Sequence, residues 1–204
     1  TPYVRGFQHF VKIPGASDVS FMCPARMAKA ACPACAKAKA LEATGNGADR
    51  ERAFEWRPSA RFFANVIDRR EPELGPKVLG FGKKIFESLV GLRNDADEGF
   101  DFSDPTEAGR DIVITKSGEG LKTRYELRAS QKASALGNTD WIEQQAHLGR
   151  FVRVLSLEEI LELWNPEGSS APQQRAQQRA PVTQQRASTV VDVTGSSGFD
   201  DDDL

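Results

Sequence analysis

Three cysteines and an early histidine form the group in this chain best suited to chemistry. Thirteen residues separate His9 from Cys23, eight separate Cys23 from Cys32, and two separate Cys32 from Cys35. A Zn2+ ion takes four nitrogen or sulfur ligands at the corners of a tetrahedron, and a site closed by four protein ligands is structural. A Cys-x-x-Cys turn puts two thiolates on one side of such an ion, and strand or loop residues complete it. The set uses every cysteine in the chain. Four strong ligands leave no corner for water, which argues against catalytic zinc. Three other readings stand beside structural zinc. A thioredoxin-like redox pair would use only Cys32 and Cys35, without the βαβ pattern of that motif. The thiols could simply be buried without a metal. His147, in a stretch that reads as helix, is the alternative fourth ligand. An odd number of cysteines does not suit a disulfide framework, so a reducing, cytoplasmic setting is expected.

A second constellation interleaves rings with cations. The stretch 54–63 sets Phe54, Trp56, Phe62 and Phe63 among Arg57 and Arg61. Further on, Phe81 precedes Lys83 and Lys84, and Tyr125 stands among Lys122, Arg124 and Arg128. Unpaired nucleic acid is held in this way: bases stack on aromatic faces, worth about 1–3 kcal/mol each, and cations track the phosphates. For any one ring, core packing is the competing explanation. Strand alternation puts Phe62 and Phe63 on opposite faces, so one of them belongs to the core.

The net charge of −2 hides a segregation that suits this reading. Residues 1–84 carry 15 Lys and Arg against 8 Asp and Glu, whereas 85–109 carry 1 against 7. Residues 110–132 are basic again, at 6 against 3. A locally basic face on a near-neutral chain follows, with ordinary solvated faces as the alternative. The acidic run containing Asp95, Asp97, Glu98, Asp101 and Asp104 could supply carboxylates to Mg2+, as a nuclease would need. A solvated loop is the simpler account, and no enzyme is expected.

These residues need elements to position them. Val4 to Ile13 alternates as a strand, with Phe7, His9, Val11 and Ile13 on one side. Pro33 can open a helix whose body is Ala34 to Ala43, stopped by Gly45-Asn46-Gly47. Arg61 to Ile67 and Lys77 to Phe81 read as strands, and Lys83 to Leu92 as a helix. Asp111 to Lys116 and Leu121 to Ala129 form a hairpin about the four-residue turn Ser117–Gly120. Ser156 and Glu159 make a capping box, with Leu155 stapled to Ile160, and the helix halts before Pro166.

The class is therefore mainly β with short helices (α+β), folded over about residues 1–165. Residues 166–198 are rich in Gln, Arg, Ala, Ser, Thr and Gly, with Gln-Gln-Arg-Ala occurring three times, and read as a flexible linker. Phe199, Asp200, Asp201, Asp202, Asp203 and Leu204 form an acidic tail. That tail suits a partner hook and an intramolecular mimic of DNA, or a solubilising end. No run is long and apolar enough for a membrane span.

In their order these landmarks resemble the single-stranded-DNA-binding (helix-destabilising) proteins of T-even-type bacteriophages. The likeness is carried by His9, Cys23 and Cys32-Pro33-Ala34-Cys35, and by Phe62-Phe63-Ala64-Asn65-Val66-Ile67 running into Asp68. Lys77-Val78, Phe81-Gly82-Lys83-Lys84-Ile85-Phe86, the late hairpin with Tyr125 and the acidic end complete it. The likeness covers about residues 4–130 and the tail. It implies an OB-fold core with an inserted structural-zinc subdomain at about 9–45, a disordered acidic tail and a DNA cleft between core and subdomain. Phe62, Phe63, Phe81 and Tyr125 would line or support that cleft, with Arg57, Arg61, Lys83, Lys84, Lys122 and Arg124 nearby. It also implies one bound Zn2+ and coating of single-stranded DNA during phage replication, recombination and repair, in an infected bacterial cytoplasm. The tail would engage replication and recombination proteins. The family's basic N-terminal arm, which mediates association along DNA, would precede Thr1. A zinc-braced RNA-binding or transcription-associated module is the alternative, because stacking tolerates either sugar.

Overall fold

The computed structural model of the chain describes residues 2–12, 18–95, 99, 101–119, 122–164 and 190–193. The acidic tail, most of the 166–198 tract, Ile13, Asp97, Glu98, Gly120 and Leu121 lie outside the described residues. The chain is mixed α+β, and its contacts divide it into two units. One holds residues 2–5, Arg61–Phe151 and 190–193, and the other holds Gly6–Ala60 and 152–164.

The second unit starts within β1 (Tyr3–Val11). β2 (Val19–Met22) pairs with it antiparallel, setting Gln8 opposite Met22 and His9 opposite Phe21. A four-residue strand is too short for alternation to register in the sequence, and β2 was not expected. The chain comes close at Gly6, where a Cβ would lie within 2.7 Å of the Met22 sulfur and would displace that side chain. Two Cys-Pro steps then open two helices. Cys23 caps α1 (Pro24–Ala28) and Cys32 precedes α2 (Pro33–Ala43), each with proline in the first turn, where its missing N–H is harmless. α2 was expected; α1, which obeys the same rule, was not.

Gly45-Asn46-Gly47 does stop α2, but it also starts α3 (Gly47–Trp56), because the Asn46 side chain accepts a hydrogen bond from the Ala48 N–H at 3.0 Å. The dense charges of α3 conceal this helix in the sequence. Ala34, Ala38 and Leu41 of α2 and Ala53 of α3 are buried, so small faces let the two helices pack closely. α5 (Leu157–Trp164) carries the expected capping box. Ser156 N–H donates to Glu159 at 2.7 Å, and Glu159 N–H donates to Ser156 Oγ at 3.2 Å. Ile160 is fully buried with Leu155 packed against its cluster, as a staple requires.

In the first unit, β3 (Ser59–Val66) pairs antiparallel with β4 (Lys77–Gly82), from Arg61 opposite Gly82 to Val66 opposite Lys77. α4 (Lys83–Arg93) follows without a break and buries Ile85. The hairpin is β5 (Arg110–Ser117) and β6 (Arg124–Ala133), irregular between Arg110 and Ile112. Its connection is longer than the expected four residues, because β6 begins only at Arg124, opposite Ser117. Gly118, at φ 74°, supplies the left-handed residue that turns the chain.

β7 (Val190–Val193) falls within the 166–198 tract and pairs in parallel with β4. Three β-branched residues in four are a strand signal that the polar flanks outweigh in any composition window. No helix among the described residues is long and apolar enough to cross a membrane.

Candidate metal centre

His9, Cys23, Cys32 and Cys35 come together, with their four donor atoms all within 4.8 Å of one another. This is the one group of three or more His, Cys, Asp or Glu side chains placed to share an ion among the described residues. The Cys23 and Cys35 sulfurs lie 3.5 Å apart and those of Cys23 and Cys32 4.0 Å. His9 Nε2 lies 3.3 Å from the Cys32 sulfur and 3.6 Å from that of Cys35. Such a buried set, three sulfurs and one imidazole nitrogen, is consistent with a structural metal.

Each ligand is set by local structure. Cys23 N–H donates to the Phe7 carbonyl at 2.7 Å, extending the β1–β2 ladder by one step. Cys23 therefore stands diagonally across from His9 on the same face. The Arg26 N–H, in the first turn of α1, points at the Cys23 sulfur at 3.4 Å. Cys35 lies in the first turn of α2, where the helix N-terminus favours a thiolate. His9 Nδ1 is 2.8 Å from the Trp56 carbonyl and donates to it, which fixes the tautomer with the Nε2 lone pair facing the sulfurs. Trp56, at the end of α3, is a supporting residue through its carbonyl rather than an open ring for stacking. Its ring is instead stacked on Trp164 of α5, with centroids 4.9 Å apart.

Protons alone would divide these thiols unequally. Cys23 is pushed up by its hydrogen bond to Cys32 and then by burial. Cys32 is pulled down to about 3, first by accepting that bond, against the opposing effect of burial. Cys35 is raised, chiefly by burial. A cation at the centre reverses this arithmetic, since a coordinating thiol is deprotonated outright. His147 lies in an irregular, exposed stretch rather than a helix, and it is not a member of the cluster.

The rings and cations expected to meet nucleic acid separate sharply by burial. Phe62, Phe63 and Phe81 are buried. Phe62 stacks on Phe86 at 4.0 Å and 3°, and also meets Phe81 and Tyr3, while Phe63 stacks on Phe151 from the opposite face. In this arrangement all three rings are core, and none offers an open face to a base. Arg61 is buried as well. Arg57 binds Glu42 at 3.0 Å and lies 4.4 Å over the Phe54 ring, which remains 45% exposed. Lys83, Lys84, Lys122, Arg124 and Arg128 are exposed, and Tyr125 is half-buried. On β6, Arg124 and Arg128 share one face and Tyr125 takes the other. Phe10, 39% exposed beside the buried His9, is a ring that the sequence reading had not singled out.

The acidic stretch gathers no ion site among the described residues. Asp101 accepts hydrogen bonds from Ser103 and pairs with Arg93 at 3.1 Å, which holds its carboxyl below the usual range.

Compared with protein-family models, with curated proteins and with solved structures, the chain matches none of them.

Proposed function

We propose that this chain is a zinc-braced protein that coats single-stranded DNA, of the type found in T-even-like phages. The observation that carries the reading is the size of the Cys/His cluster. With Zn–S near 2.3 Å and Zn–N near 2.0–2.1 Å, a regular tetrahedron has S–S edges of about 3.8 Å and N–S edges of about 3.5 Å. Two of the three S–S distances, 3.5 and 4.0 Å, and two of the three N–S distances, 3.3 and 3.6 Å, bracket these values, and all the donor atoms lie within 4.8 Å of one another. Bound there, Zn2+ would offset two buried thiolates and one half-buried one and tie β1, β2, α1 and α2 together, leaving no open corner for catalysis. This is the ligand order that the family resemblance implies, followed by the same run of aromatic and basic landmarks.

In this reading the buried rings Phe62, Phe63 and Phe81 brace an OB-type sheet rather than receive bases themselves. The exposed cations Lys83, Lys84, Lys122 and Arg124 track phosphates, and Tyr125 is a half-buried ring among them in the same unit. Unpaired strands are preferred because duplex hides the base faces, so binding lowers duplex stability by mass action. Affinity falls steeply with salt as released counterions lose their advantage. The tail Asp200–Asp203 competes for the same cations and offers Phe199 and Leu204 to replication partners.

The test pairs metal analysis by mass spectrometry with oligonucleotide binding. One zinc per chain is expected, with strong preference for single strand over duplex. In Lys83→Ala/Lys84→Ala the salt slope should fall by roughly 0.7 for each phosphate that is no longer neutralised. Deleting residues 199–204 should tighten binding at low salt. A flat salt titration, or equal affinity for duplex, would sink the reading. Preference for a matched RNA would move it to the RNA-binding alternative.

A further inference from the structure

One side of β4 is fully engaged, with six register pairs along β3 from Arg61–Gly82 to Val66–Lys77. The other side carries β7 in parallel over Val78–Phe81. That stretch of β4 reads Val78-Leu79-Gly80-Phe81, with no charge, proline or register shift in the pairing. Natural sheet edges are usually blunted by such devices, because an uncovered edge offers a row of backbone donors and acceptors to any extended chain. Here the edge is protected only by what lies on it. The covering strand makes four pairs, and the 25 residues 165–189 separate it from Trp164.

The geometry points to the outer edge of β4 as a strand-acceptor site whose ligand is Val190–Val193, exchanged between two copies of this chain. Three arguments carry it. A neighbour's Val190–Val193 forms the same four pairs, so exchange alters only the connection and leaves the ladder unchanged, which is the condition for low-cost domain swapping. Reach does not confine the segment to its own edge. A 25-residue connection can span at most about 90 Å, against a radius of gyration near 13 Å for a unit of about 100 residues. The hold is also short, and such a tether raises the local concentration of its own segment only to the millimolar range or below. At high local protein concentration a second copy therefore competes. Reciprocal exchange gives a closed dimer, and one-way donation an open chain of copies. None of this depends on the metal or on DNA.

Sedimentation velocity of the full chain, from micromolar to near-millimolar, tests the idea. The wild-type average mass should rise above one chain with concentration. In Val190→Pro/Val191→Pro association should weaken at least about tenfold, because neighbouring strand residues alternate and one of the two prolines must remove a ladder hydrogen bond. Adding a free peptide of residues 188–195 to the wild type should return its mass to one chain, without reliance on the variant's folding. The same peptide carrying both prolines should leave the mass unchanged. A wild-type mass that stays at one chain throughout overturns the proposal. So does equal association by the proline variant, or assemblies that ignore the peptide.

Discussion

The unit around His9 buries small side chains: Ala34, Ala38 and Ala53 are enclosed there, with Val11, Phe21 and Ile160 as the larger members. The unit around β3 and β4 buries rings, with Phe62 stacked on Phe81 and Phe86 and met edge-on by Tyr3. Area explains what each needs. An aromatic ring removes about 150–250 Å2 from water and adds about 0.5–1.5 kcal/mol when paired with another ring. Alanine faces bury far less, so short helices such as α1 and α2 need another tie. In one unit the core is its own support; in the other three of the four ligands are buried and Cys35 is packed against them, and a metal would fasten them.

The largest test of that contrast is metal removal. A chelator at pH 7 should unfold the Cys/His unit, since structural zinc supplies roughly 10–16 kcal/mol in finger peptides. The stacked Trp56–Trp164 pair should lose its near-ultraviolet circular dichroism, while the shifted ring signals of Phe62 and Phe86 persist. Metal-free protein that keeps the tryptophan signal would abolish the distinction. The converse variant, Phe62→Ala, should cost about 3–5 kcal/mol and leave metal content unchanged. Denaturant titration with parallel metal analysis reads both, and a fall in metal content would mean that the units do not stand separately.

Smaller effects sharpen the picture within the Cys/His unit. Ser156→Ala removes the cap of α5 and should cost about 1 kcal/mol, read as a shifted urea midpoint. Its reciprocal partner Glu159 gives a pH signature. The Ser156 N–H, and then Arg153, hold its carboxyl below the usual carboxylate range. A folded value below the unfolded one near 4.3 means that its contribution is present above that pH and lost as pH falls through the depressed value. The small stability gap between wild type and Glu159→Gln should therefore close on acidification. A gap that widens in acid would reverse the assignment.

α2, α4 and α5 were legible because proline, periodicity and a capping box act within a few residues. α3 was hidden by its charges, and β7 by its polar flanks, though Asn46 and the valine run were the signals available. The cysteine spacing announced a metal site with His9 favoured over His147 as its fourth ligand, yet gave no sign of the supporting acceptor. Alternation separated Phe62 from Phe63 without saying that both would be enclosed.

The chain's own order of residues determined the thiol triad, the helix starts at Cys-Pro steps, and the opposite facing of adjacent rings. Each follows from backbone geometry over a few positions. Folding decided that His9 rather than His147 joins the sulfurs, that Trp56 lends a carbonyl to it, and that Val190–Val193 lies against β4. Those choices link residues 47 apart in the case of His9 and Trp56, and more than a hundred apart in the case of β4 and β7. Contacts at such separations are selected by burial and strand pairing, which no local pattern encodes.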